Sequence, residues 1–157
     1  MNERVADLLT SLDAAYNRRS WHGANLRGSI RGLTARQAVW RPARNRHNIW
    51  ELVVHAAYWK YAVVRRFTGA SRGSFVLKGS NWFARNDGSD ERGWRQDVAL
   101  LDEQHRLLRD AIAKMTARDL DRTPRGSKVS NFALLSGIVA HDLYHAGQIQ
   151  VLKRLQN

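Results

Sequence analysis

The run Ile138-Val139-Ala140-His141-Asp142-Leu143-Tyr144-His145-Ala146-Gly147-Gln148-Ile149 decides the fold. Its apolar residues recur at helical spacing with those before and after it, so that Leu134, Ile138, Ile149 and Leu152 form one stripe that should face a core. His141 and His145 are four residues apart, hence one turn above each other, and they fall inside that stripe. Two imidazoles buried side by side need a partner, and a divalent cation chelated between them is an efficient one.

A second stretch answers the first. In His47-Asn48-Ile49-Trp50-Glu51-Leu52-Val53-Val54-His55-Ala56-Ala57-Tyr58-Trp59, Asn48 is a good helix cap with Glu51 three residues on, the spacing of a capping box. Leu52, His55, Ala56, Trp59 and Val63 make the inward stripe of a helix that should stop near Gly69. His55 is therefore a third histidine on an apolar face, set to meet His141 and His145 across a helix pair. Three neutral imidazoles with a coordination position left open are the donor set of a catalytic rather than a structural metal site.

Outward from these two segments the chain reads as helical throughout. A first helix is expected over about 3–31, with Val5, Leu8, Leu9, Leu12, Ala15 and Tyr16 at three- and four-residue spacing, although Gly23 and Gly28 weaken its second half. A third runs from Asp90 or Trp94 to Met115 and a fourth from Ser130 almost to the end. Between the second and third lies a long connection, 69–93, punctuated by five glycines yet carrying Phe75, Val76, Leu77, Trp82 and Phe83. A segment that apolar should pack over something, and Trp82 and Phe83 are expected to roof the metal pocket. The fold class expected is all-α: one domain over 1–157, an up-and-down four-helix bundle with its metal ligands on facing helices.

Composition sets the limits. There is no cysteine, which excludes disulfides, thiolate metal sites and cysteine nucleophiles and agrees with a cytoplasmic protein. Neither a signal-peptide core nor a membrane span is visible, and no Gly-rich phosphate loop. The 26 basic residues against 14 acidic ones give a formal charge of +12, mostly arginine and scattered. Scattered charge without a recognition motif points to solubility before specific nucleic-acid binding.

The two quoted segments, and above all the H-x-x-x-H-x-G-Q-I ending from His141 to Ile149, resemble the DinB superfamily of metalloenzymes, and the likeness extends in helix order over essentially the whole chain. It implies one divalent metal ion held by His55, His141 and His145 inside a helical bundle, and it implies reactions such as those of relatives that transfer or isomerise with low-molecular-weight thiols.

The leading expectation is a metal-dependent hydrolase or thiol S-transferase acting on a small molecule, anionic or a low-molecular-weight thiol, with zinc or nickel favoured and manganese or iron compatible. The rival is a non-catalytic metal-binding or basic nucleic-acid-associated protein linked to stress or DNA damage. A homodimer is allowed; a membrane or a specific nucleic acid is not expected. Around the ion, Glu51 can orient His55 or close the capping box, Gln148 and Tyr144 can reach substrate or bound water, and packing is the plainer role for Tyr144. His47 is read as a helix-entry residue, His22 and His105 as solvated, and Asp142 as solvated or paired with arginine.

Overall fold

Capping side chains set where the helices begin. In the computed structural model, which describes residues 2–156, Asn2, Asn25, Thr34, Asn48, Asp90, Thr116 and Ser130 each accept a hydrogen bond from a backbone N–H in the first turn that follows. The helices they start are α1 (Glu3–Tyr16), α2 (Leu26–Ser29), α3 (Ala35–Ala38), α4 (Ile49–Thr68), α5 (Glu91–Ala113), α6 (Ala117–Asp121) and α7 (Asn131–Leu155). Among the described residues there is no strand, and no helix is long and apolar enough to cross a membrane. The Asn48–Glu51 capping box forms, and α4 ends at Gly69 in the left-handed conformation (φ 73°).

The first helix is shorter than its periodicity suggests. It stops at Tyr16, where the N–H groups of Asn17 and Arg18 both close on the Asp13 carbonyl at 3.0 and 2.8 Å. Gly23 then turns the chain at φ 96°, and Asn25 opens α2 by accepting from the Gly28 N–H at 2.8 Å. A Cβ at Gly28 would sit 2.7 Å from the Asn25 Oδ1 atom, so this glycine is part of a new helix start and not a flaw in an old helix.

The four long helices pack in a ring, α1 against α5 and α7, and α4 against α5 and α7. Their directions follow from the side chains that meet. Asp13 and Tyr16 of α1 bond Arg109 and Asp102 of α5, an antiparallel pair. Leu52 shares a cleft with Leu152, whereas Arg66 shares another with Asn131, so α4 and α7 are also antiparallel. Trp50 bonds Asp97, whereas Phe67 lies beside Leu107 and Ala111, which makes α4 and α5 parallel. Chain order is therefore up, down, down, up, and the expected up-and-down order is corrected. The physical cause is the 69–90 connection: after α4 the chain must travel back along a 20-residue helix, about 30 Å, before α5 can start in the same direction.

Two apolar clusters fill the interior. One gathers Leu26, Ile30, Ile49, Trp50, Val53, Leu101, Ile149 and Phe83; the other gathers Val5, Leu9, Leu12, Val63, Leu108, Ile112, Leu135 and Ile138. Each fully buried aliphatic side chain contributes about 1.5–3 kcal/mol.

Two polar residues expected at the surface are inside. His105 is buried and stacks on Tyr16 with ring centroids 3.6 Å apart. Asp142 is completely buried and pairs with Lys60, also completely buried. The reason is that each helix packs against several others, α7 against α1, α2 and α4 and α5 against α1, α3 and α4, so the buried arc of each is wider than a single stripe. His22 is exposed, as expected.

The His105 burial has a consequence in acid. Burial, helped by the charges of Lys60 and Arg109, pushes the His105 imidazole down to about 3. An unfolded histidine takes its proton near pH 6.5, so this contribution to stability is complete above that value and drains away as pH falls towards 3. Urea unfolding at pH 7 and pH 5 should show His105→Phe losing less stability on acidification than the wild type; equal losses would contradict this account.

Candidate metal centre

His55 sits near the start of α4, and His141 and His145 lie one turn apart in the middle of α7. Because the two helices are antiparallel neighbours, all three rings turn into the same space. The Nε2 atom of His141 is 3.0 Å from that of His145 and 3.3 Å from that of His55. One ligand atom from each ring can be chosen so that all lie within 4.8 Å of one another.

Hydrogen bonds on the far side of two rings fix which nitrogen faces inward. His55 Nδ1 stands 2.7 Å from the carbonyl oxygen of Asn81, to which it donates. His145 Nδ1 stands 2.6 Å from Gln148 Oε1 and donates there. Each ring therefore keeps its Nε2 lone pair for the shared space, the support that metal-binding histidines ordinarily have. Among the described residues His141 Nδ1 is buried with no partner. A proton on His141 Nε2 could serve only one of the two lone pairs facing it, while a cation serves all three nitrogens. Zinc bound to imidazole at about 2.0–2.1 Å in tetrahedral geometry spaces its nitrogens ~3.4 Å apart, close to the 3.0 and 3.3 Å that separate His141 Nε2 from the other two. The donor set fits a divalent ion.

Electrostatics keeps these donors neutral. Burial is the main cause for all three: it holds His55 below its ordinary value despite the Asn81 bond, and brings His141 down to about 3 and His145 down to about 4. Repulsion adds to it, from His145, His55 and Lys60 on His141, and from His55 and His47 on His145. Near pH 7 no proton competes with a metal for these nitrogens.

The returning 69–90 connection passes beside the site. Asn81 supplies the carbonyl to His55, and the Trp82 ring lies flat on the His55 ring at 3.8 Å and on His47 at 3.6 Å, a three-ring stack with Trp82 in the middle. Trp59 meets His55 and His141 edge-on. Adjacent residues of an extended segment point opposite ways, so Phe83, expected at the pocket, instead enters the core against Tyr58 and Phe75.

Trp82, His145 and Gln148 line a cleft of about 610 Å³ together with Arg46, Leu52 and Tyr144. Tyr144 is 64% exposed at this mouth and not packed away as expected, and its hydroxyl is 3.4 Å from the Gln148 amide nitrogen. Glu51 does not reach His55. Its carboxylate is engaged by Arg41 at 2.6 and 2.9 Å, by His47 at 3.0 Å and by the Arg85 N–H at 3.3 Å. Burial opposes its ionisation, but those donors together bring it down to about 2, so Glu51 stays charged and ties the 69–90 connection to the start of α4.

Sequence reasoning missed Asn81, Lys60 and Arg85. A backbone carbonyl leaves no residue-type signal, but Lys60 did: it falls four residues after Ala56 in the inward stripe of α4, where a cation needs a buried partner.

Four long helices with three imidazoles converging from two of them define an all-helical protein with a candidate histidine metal centre. The DinB superfamily model matches residues 18–149, and the chain belongs to that superfamily. No curated protein and no solved structure matched it.

Proposed function

We propose that this protein is a divalent-metal-dependent enzyme acting on a small molecule, either a hydrolase or a low-molecular-weight-thiol transferase, built on a four-helix bundle. The observation that carries the reading is the convergence of the three Nε2 atoms beside an open cleft, with His145 common to both. An ion held by these rings would supply an open coordination position that lowers the proton affinity of a water or thiol brought to it. Zinc and nickel suit an all-imidazole set, with manganese and iron acceptable.

The chain's own groups account for the rest. Trp82 shields one face of His55 from water, and Gln148 holds the His145 ring through Nδ1. Tyr144 offers a hydroxyl at the cleft mouth, and Arg46 a cation for an acidic substituent. The apolar walls, Leu52, Val151 and Leu155, suit a substrate whose body is hydrophobic.

The test is a panel of thiols with electrophilic acceptors, together with activated esters and amides, offered to metal-loaded protein. Turnover should depend on the metal and vanish in His145→Ala. Trp82→Ala should raise KM roughly three- to tenfold, the worth of one aromatic stack, while the metal content at saturation stays the same. Turnover that survives both chelation and His145→Ala would refute the proposal.

A further inference from the structure

The charge of the chain is not spent at the metal cleft, where Arg46 is the one arginine among the lining residues. It gathers at the other end of the α4–α7 pair. Arg66 is eleven residues beyond His55 on α4 and Asn131 ten residues before His141 on α7, which places both ~15 Å along the bundle axis from the imidazoles and on the same side of them. There a cleft of about 840 Å³ opens between residues 65–72 and residues 122–134. Arg65, Arg66 and Arg72 come from one wall, Arg122, Arg125 and Lys128 from the other, and no aspartate or glutamate is among the lining residues.

The cations are largely uncompensated. Among the described residues Arg122 alone has a carboxylate within reach, Asp119 at 3.8 Å. Arg66 lies over the Trp59 ring at 5.5 Å, which holds its position without neutralising it. Confining like charges between two walls raises the local potential and draws an anion into the concavity. The walls also carry Phe67, Pro124 and the 45% exposed Val129, an apolar surface against which a ligand body can rest. A concave site of this volume suits a small molecule and not a long flat polymer.

We propose that this cleft is a second ligand site, separate from the metal centre, that takes a small molecule bearing a chain of three linked phosphates. Arg65, Arg66 and Arg72 grip the chain from one side and Arg122, Arg125 and Lys128 from the other. Planar guanidinium groups suit such a chain because each can donate two parallel hydrogen bonds to phosphate oxygens.

Inorganic triphosphate is the probe, titrated calorimetrically into the full-length protein at about 0.15 M salt, before and after treatment with chelator. Triphosphate should bind at least about tenfold more tightly than monophosphate, and equally well in both preparations. The triple variant R72A/R125A/K128A should weaken it about tenfold or more, whereas the charge-matched R19A/R44A/R154A should weaken it less than about threefold. Circular dichroism checks that both triples stay helical, and the triphosphate-to-monophosphate ratio needs no variant at all. Equal weakening by the two triples, loss of binding after chelation, or no preference for triphosphate would each overturn the proposal.

Discussion

His141→Ala is expected to lower the affinity for a divalent ion by more than about a hundredfold. Removing a group that merely supports a metal-binding histidine costs about 10–100-fold, and His141 is more central than any supporting group. Its Nε2 is the one that stands within 3.3 Å of both other Nε2 atoms, so the variant leaves His55 and His145 without the nitrogen that joins them. The fold should survive, because His141 is half-buried at the edge of a core made by other residues. Competition against a chromophoric chelator, with circular dichroism on the same samples, separates the two effects. A variant that unfolds on losing its ion would show the site to be structural, and one with unchanged affinity would show that His141 is not a ligand.

The largest stability effect should come from Asp142→Asn. Lys60 and Asp142 are both completely buried and hydrogen-bonded to each other, linking the two helices that carry the imidazoles. Burial pushes Lys60 down and Asp142 up from their ordinary values, and each resists the shift by holding its partner's charge. Breaking such a pair from one side leaves a buried cation without a counter-charge, at a cost of about 3–5 kcal/mol. That is a large part of the 5–15 kcal/mol typical of a whole domain, and it corresponds to a fall in Tm of about 10 °C at this size. Lys60→Met combined with Asp142→Leu should recover most of the loss, because apolar groups of similar size need no partner. Thermal unfolding of the two variants decides it: a single variant as stable as the wild type would mean that water reaches the pair.

The parts of this molecule legible in its sequence are those written as local patterns. Asn48 with Glu51, and Ser130, announced helix starts, and of the two starts left open for the third helix, Asp90 and Trp94, the structure takes Asp90; all three capping side chains bond their own first turns. The pairing of His141 with His145 follows from one helical turn, and their meeting with His55 from two apolar stripes that must face each other. What depends on the packing of distant segments was not legible. Helix direction is one such feature: the up-and-down order expected from the sequence gives way because the long 69–90 segment serves as a crossover that returns along α4. That crossover also carries Asn81 and Trp82 past the imidazoles, so the fold and the candidate site share one cause. Asp142 and His105 lie inside because α7 and α5 each meet neighbours on more than one side, so one apolar stripe per helix understates what is buried.

Metal content of the purified wild-type protein tests the central claim most directly. After reloading with zinc, nickel or manganese near neutral pH and removal of excess ion by dialysis, elemental analysis should return about one equivalent per chain for at least one of these metals, and none in H55A/H141A/H145A. Less than about a tenth of an equivalent in the wild type with every metal, or an equivalent retained by the triple variant, would contradict it.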